Sequence, residues 1–325
     1  MRYELEQFGP QIVAEAAARI APLITRTPLV RLDHDGPDEI WLKLENLQPI
    51  RSFKLRGAAN AMLSVARDEL EAGVWAASAG NMAQGVAYCA QRLDVPCTVV
   101  VPEGAPETKL RAIRGLGAAI VEAPFDDWFE IYRTREYPGM TGTFIHAFSD
   151  PRVMAGNATI AAEILEDLGD PDAVVIPYGG GGLAAGIGAH LRQAVPDVSI
   201  LAAEVATAAP LTAAFAAGGP VPIQHERTFV DGIGGPVLFD EMWDFASRVL
   251  DGTVVSSVDE IRGAIRHLAV RNAVVAEGGG AAAVAAAIAG RVVDRHGERA
   301  QRVVCVVSGG NIDSAILAEI VRAEV

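Results

Sequence analysis

The chain has 325 residues, half of them hydrophobic but only 6% aromatic, and a formal net charge of −14. Its length exceeds one simple layered domain and falls short of three, so one large domain and a smaller one are expected. The negative charge sets it against nucleic acid and anionic membranes as partners, and a small anionic ligand would need a local cradle of backbone amides or helix N-termini.

The opening MRYELEQFGP carries acids early and has no apolar core, so it does not read as a signal peptide. GPQIVAEAAARIAPLI has helical spacing, TRTPLV turns into a strand, and IWLKLE alternates as another. SFKLRGAANAMLSVA is helical and brings in Lys54. GVWAASAG is a strand running into a glycine turn, with NMAQGVAYCAQRLD as the helix after it. CTVVVPE, PETKLRAIRGLG and AAIVEAP then read strand, helix, strand. This alternation, from about residue 74 to 124, predicts a parallel sheet.

A second run starts near residue 150: VMAGNATIAAEILEDLG (helix), AVVIPYGG (strand), GLAAGIGAHLRQAV (helix), SILAAEV (strand) and PLTAAFAAG (helix). SVDEIRGAIRHLAVRN and GGGAAAVAAAIAGRVVDRHG read as helices, RVVCVVSGGN as a strand and DSAILAEIVRAEV as a last helix. The apolar run Gly278 to Gly290 is too short and too rich in glycine to span a bilayer. The fold class is α/β, with two open parallel-type sheets flanked by helices and a ligand cleft between them. Cys89, Cys97 and Cys305 are odd in number and have no paired spacing. They read as small buried hydrophobes in a reducing compartment, and a soluble cytoplasmic protein is expected.

Four features carry chemistry. Lys54 lies between Phe53 and Leu55 with Arg51 and Arg56 close by, and neighbouring positive charge lowers a lysine's pKa. A helix start capped by Ser52, with Lys54 on a solvated face, is the plainer alternative. In IPYGGGGLAAG, Gly179 to Gly182 link a strand to a helix N-terminus, a cradle for phosphate. SAGNMAQG offers amides sized for a carboxylate, and VVSGGNIDSA delivers Ser308 at a strand end; either could equally be a helix cap. Gly179, Gly181 and Ala184 also fit G-x-G-x-x-A with Glu204 ending the next strand, the pattern of a dinucleotide site. That loop lies in mid-chain after a complete α/β region, which counts against a dehydrogenase. A lysine, a phosphate cradle and no metal-ligand cluster together suggest pyridoxal 5′-phosphate (PLP).

SFKLRGA, SAGNMAQG, GGGGL and SGGNID, in this order and at these separations, resemble the serine/threonine dehydratase and serine racemase branch of the fold-type II PLP enzymes, the tryptophan synthase beta-like fold. LENLQ, FDD at Phe125 to Asp127, DPRVMAGNATIAAEIL and DGI at Asp231 to Ile233 extend the likeness over essentially the whole chain. The resemblance implies a large PLP-binding domain of residues 1–66 and 149–325, a small domain of residues 67–148, and no regulatory domain after residue 325. It implies that Lys54 holds PLP and serves as the base, with Phe53 packed beside the cofactor. Gly179, Gly180, Gly181, Gly182 and Leu183 would bind the phosphate, Asn81 the ring hydroxyl and Ser308 the pyridine nitrogen. Ser78, Ala79, Gly80 and Asn81 would grip the substrate carboxylate. A hydroxyl at the pyridine nitrogen makes a weaker electron sink, favouring loss of water from a β-hydroxy amino acid, such as L-threonine or L-serine, to give a 2-oxo acid and ammonia. A 3-hydroxyaspartate, a bulkier 3-hydroxy amino acid, or racemisation are the alternatives, and a homodimer is the expected assembly.

Departures from the family pattern bear on substrate. Met82 stands where a His is usual, EGGGAA at Glu277 replaces E-P-S-G-A, and HAFSDP replaces H-P-F-D-D-P. Glu204 is followed by VATAAP without a second acid, so no metal is expected. Ala79 occupies the position of the racemases' second serine, which argues against efficient racemisation.

Overall fold

The computed structural model describes residues 2–323. Among them, ten strands form two sheets: β1 (Leu29–Arg31), β2 (Glu39–Lys43), β3 (Val74–Ala77), β4 (Cys97–Pro102), β5 (Ala119–Ala123), β6 (Thr143–Phe144), β7 (Ala173–Pro177), β8 (Ser199–Val205), β9 (Gly252–Ser256) and β10 (Arg302–Val306). The smaller sheet has the order β5-β4-β3-β6 and is parallel throughout. The larger has the order β1-β2-β10-β7-β8-β9. It is parallel except at β1, which runs antiparallel to β2 with Leu29 opposite Lys43. No helix separates those two strands, so no parallel crossover is available to them.

Central strands buried on both faces read as near-continuous apolar runs. β7, AVVIP, and β8, SILAAEV, are buried along their whole length. Insertion of β10 between β2 and β7 decides where ligands go. All three strands run the same way, so the segments leaving their C-terminal ends emerge side by side. One carries Lys54, one the tetraglycine and one Ser308. That is the edge at which open α/β sheets bind ligands.

The expected helices form, several shorter than read: the opening helix stops at Ile20 instead of Ile24, and the last spans Ser314–Arg322, with residues 324–325 of its reading outside the described residues. The helix Gly278–Ile288 ends nine residues before the predicted stop, where Gly290 takes φ +68° and the chain turns. The helices Arg67–Glu71, Phe125–Thr134 and Asp240–Val249, and the strands β6 and β9, were not anticipated. One apolar cluster joins the small sheet to the helices Lys54–Leu63, Pro151–Leu168 and Gly182–Ala194. A second lies under Val258–Asn272 and Gly278–Ile288. Among the described residues no helix is long and apolar enough to cross a membrane.

Candidate active site

Lys54 opens the helix Lys54–Leu63, and its backbone N–H is turned towards Ser52 Oγ at 3.4 Å. Its side chain leaves the helix into the cleft, where Nζ donates to Ala147 O at 2.7 Å and lies 5.1 Å from the Phe53 ring centroid. Burial lowers the amine to about 8, with the Glu277 charge pulling the other way. This corrects the sequence argument, which assigned the depression to Arg51 and Arg56. Arg56 is buried among carboxylates on the far side, and Arg51 is exposed with φ +58°.

The carbonyl that holds the amine is itself positioned. His146 is fully enclosed, and its Nδ1 accepts from Phe148 N at 3.2 Å and Ser149 N at 2.8 Å. Nε2 must then carry the proton, which it donates to Tyr132 O at 3.1 Å. Burial pushes the imidazole down to about 4, so it stays neutral. The resulting corner, residues 146–149, fixes Ala147 O and sets Phe148 against the glycine loop.

Gly181 takes φ +91° as the N-cap of the helix Gly182–Ala194. A Cβ on Gly180 would enter the Phe148 ring, and one on Gly182 would lie 2.7 Å from Phe148 O. The glycines therefore let the loop pack flat on Phe148 while first-turn N–H groups, which have no intrahelical acceptor, border the cavity. Packing explains more of the tetraglycine than the sequence argument allowed, and anion binding remains compatible with it.

Ser78 Oγ accepts from Gly80 N at 3.2 Å and shapes the turn into the helix Asn81–Leu93. The Asn81 side chain is engaged at both ends: Nδ2 donates to Glu277 Oε1 at 2.8 Å, and Oδ1 accepts from Asn311 Nδ2 at 2.7 Å. Burial pushes the Glu277 carboxyl up to about 7, against the hydrogen bond from Asn81. Neither Glu277 nor Ala147 was singled out as a site residue from sequence. Glu277 was visible there only as the start of a departure from E-P-S-G-A.

One cavity of about 730 Å³ gathers these groups. Phe53, Lys54, Ser78, Ala79, Gly80, Asn81, the tetraglycine, Leu183 and Ser308 all line it, as do Met82 and Glu277. Glu204 does not. Its carboxylate accepts from Leu211 N at 2.9 Å, Thr212 N at 2.8 Å and Thr212 Oγ1 at 2.6 Å, capping the helix Pro210–Ala217. The acid of the dinucleotide pattern thus serves a helix end. Among the described residues no group of three or more His, Cys, Asp or Glu is gathered as for a metal ion.

An enclosed amine, an anion cradle and a carboxylate-sized amide turn around one cleft fit PLP, and they define the class as a PLP-dependent α/β enzyme of fold type II. The chain belongs to the pyridoxal-phosphate dependent enzyme family, whose sequence model matches residues 20–309. It is 36% identical over 316 residues to the L-threonine ammonia-lyase of Thermotoga maritima, covering 95% of this chain and 77% of that one. With the L-threonine ammonia-lyase of Geobacter sulfurreducens the identity is 38% over 317 residues, covering 96% and 77%. The fold is similar to serine racemase from Dictyostelium discoideum (TM-score 0.85, 29% identity, 94% of this chain and 99% of that one). It is also similar to threonine deaminase isoform 2 from Solanum lycopersicum (TM-score 0.84, 32% identity, 97% and 92%).

Proposed function

We propose that this protein is an ammonia-lyase that dehydrates a 3-hydroxy amino acid, such as L-threonine or L-serine, to a 2-oxo acid and ammonia. One observation carries the reading: the Lys54 amine, held at Ala147 O, shares its cavity with both the glycine loop and the Ser78–Asn81 turn. The relatives named L-threonine ammonia-lyase support it.

In this reading Gly179, Gly180, Gly181, Gly182 and Leu183 bind the cofactor phosphate, Ser308 meets the pyridine nitrogen, Asn81 the ring hydroxyl, and Phe53 packs beside the ring. When bound, PLP supplies an electron sink conjugated to the substrate's Cα. Ser78, Ala79, Gly80 and Asn81 orient the substrate carboxylate. Lys54, whose amine is lowered to about 8 and is therefore largely neutral above that pH, takes the proton from Cα. The Cβ–O bond breaks, and the hydroxyl departs as water. The freed enamine then takes up water to give the 2-oxo acid and ammonia, so the net change is loss of ammonia alone.

The same reading divides the chain into a large unit of residues 1–66 and 149–325 and a small unit of residues 67–148. The confinement of the four-stranded sheet to residues 74–144 supports this division. It also includes a cytoplasmic homodimer; three free, buried cysteines suit a reducing compartment. Likeness to serine racemase favours racemisation as a second reading, and the methyl of Ala79 in the cavity weighs against it.

The test is turnover of L-threonine and L-serine by purified protein with PLP, reading 2-oxobutanoate and pyruvate as hydrazones beside chiral analysis of remaining substrate. Release of 2-oxo acid that is lost in Lys54→Ala supports the assignment. Scrambling of chirality without 2-oxo acid overturns it in favour of the racemase.

A further inference from the structure

Aromatic residues are only 6% of the chain, yet six besides Phe53 line this one cavity: Phe125, Trp128, Phe129, Tyr132, Phe148 and Phe239. Four of them come from the helix Phe125–Thr134. Its polar edges are turned to the small sheet: Trp128 Nε1 donates to Val100 O at 3.1 Å and Tyr132 Oη to Ala77 O at 2.8 Å. Ala77 immediately precedes the Ser78–Asn81 turn, so the wall stands beside the proposed carboxylate site. Phe239 faces it from the other side, 5.9 Å from Phe129 and 5.3 Å from Phe148 between ring centroids. Phe125 is 46% exposed, and Trp128 and Phe129 are half-buried. Such a wall, left to water, gains by covering itself with an apolar occupant.

We propose that this wall receives the β-substituent of the substrate, and that the enzyme prefers 3-hydroxy amino acids bearing an aryl or similarly bulky apolar group. The inference rests on the dehydratase reading. With the carboxylate at residues 78–81 and the amine directed to Lys54, the remaining arm of the substrate is what the rest of the cavity meets. A threonine methyl leaves most of the wall uncovered. At interior packing density the cofactor and threonine fill on the order of 450 Å³, against about 730 Å³. Of the other cations lining the cavity, Lys109 is paired with Asp231 at 2.6 Å, whereas the Arg227 guanidinium lies over the Phe125 ring, 5.4 Å from its centroid, with its donors open to a carboxylate. 3-Hydroxyaspartate is therefore the competitor against which the aryl preference is tested.

The experiment compares kcat/KM for threo-3-phenylserine, L-threonine and 3-hydroxyaspartate on the PLP-loaded enzyme. The chemistry is the same net loss of ammonia, giving phenylpyruvate from the first. Phenylserine is expected to exceed threonine at least tenfold. Trp128→Ala should lower that ratio at least tenfold, and Trp128→Phe should restore most of it. Phe125→Ala, at a position 46% exposed, should lower the ratio severalfold. Calorimetry supplies a readout without turnover: L-phenylalanine, which lacks the leaving hydroxyl, should bind at least tenfold more tightly than L-2-aminobutyrate. A preference for threonine or 3-hydroxyaspartate, or a ratio unmoved by Trp128→Ala and Phe125→Ala, overturns the inference while leaving the dehydratase standing. If none of the three substrates yields a 2-oxo acid, the dehydratase reading fails, and tight phenylalanine binding then still marks the wall as an aryl site.

Discussion

Two cations on one helix, Lys54 and Arg56, stand two residues apart in opposite surroundings. Arg56 donates to Glu45 through Nε and Nη2, each at 2.8 Å, and to Glu163 through Nη1 at 2.6 Å and Nη2 at 2.8 Å. Lys43 Nζ joins the cluster at Glu163, 2.6 Å away, and Thr27 Oγ1 donates to Glu45 at 2.6 Å. Two cations and two carboxylates cancel, and burial of Glu45, which alone would raise its pKa, is outweighed by Arg56. Lys54 has a single carbonyl. Burial therefore depresses its pKa, whereas the pairing around Arg56 raises that of the guanidinium. A buried charge whose partners are complete is scaffold; one left with a partial set is available to give and take protons.

Breaking each side of this contrast should give different losses. Lys54→Ala should cut 2-oxo acid formation by roughly three orders of magnitude or more while the fold persists. Steady-state rates beside the urea midpoint check this; residual activity near wild type would remove Lys54 from the chemistry. Glu45→Ala should do the reverse. Leaving Arg56 half-paired in the interior costs about 3–5 kcal/mol of stability, seen as a lower urea midpoint, with activity per folded molecule largely kept. A midpoint close to wild type would mean that the cluster is not the scaffold described.

His146 tests whether neutrality, too, is imposed by the fold. Its pKa falls from 6.5 to about 4 through burial. Below pH 6.5 the unfolded chain takes up a proton that the folded chain refuses until about pH 4. Stability from this group is therefore whole above pH 6.5 and declines as pH drops towards 4, by roughly 3 kcal/mol in all. Denaturation curves across that window should show a slope flatter by one proton in His146→Gln than in wild type. Equal slopes would place the titration elsewhere.

The contrast also separates what the sequence makes legible from what it hides. The tetraglycine, the Ser78–Asn81 turn and Ser308 could be read because each sits where an apolar run ends and a glycine turn begins, and Lys54 because it is a lone lysine between Phe53 and Leu55 in a stretch matching a known family motif. Their gathering could not be read from any one of them, since it depends on β10 entering between β2 and β7. Glu277 was missed because it meets Asn81 across 196 residues of chain. The work of His146 is done on the backbone amides of Phe148 and Ser149, which leave no side-chain pattern. Helix Phe125–Thr134 went unread because its inward positions are aromatic and interleaved with acids, unlike the Ala- and Leu-rich helices elsewhere. β9 is a half-exposed edge strand paired only to β8.

The smallest expected effect concerns which face of the substrate a proton can reach, and it sharpens the contrast to one position. In the proposed reading Lys54 addresses one face of Cα. Ala79, on the turn that would grip the carboxylate, presents a methyl to the cavity and can deliver no proton. Racemisation needs return of a proton from the second face; elimination does not. Dehydration should therefore outrun racemisation at least tenfold, a barrier difference of about 1.4 kcal/mol. Ala79→Ser adds a hydroxyl there and should shift the ratio towards racemisation severalfold, read as chiral composition of unreacted L-serine beside pyruvate over one time course. If wild type already scrambles L-serine faster than it releases pyruvate, a second proton carrier is at work. Glu277, the carboxyl bonded to Asn81 and raised to about 7, is the group to test for that role. Glu277→Gln would then suppress racemisation and leave Lys54-dependent exchange of the Cα hydrogen with solvent in place.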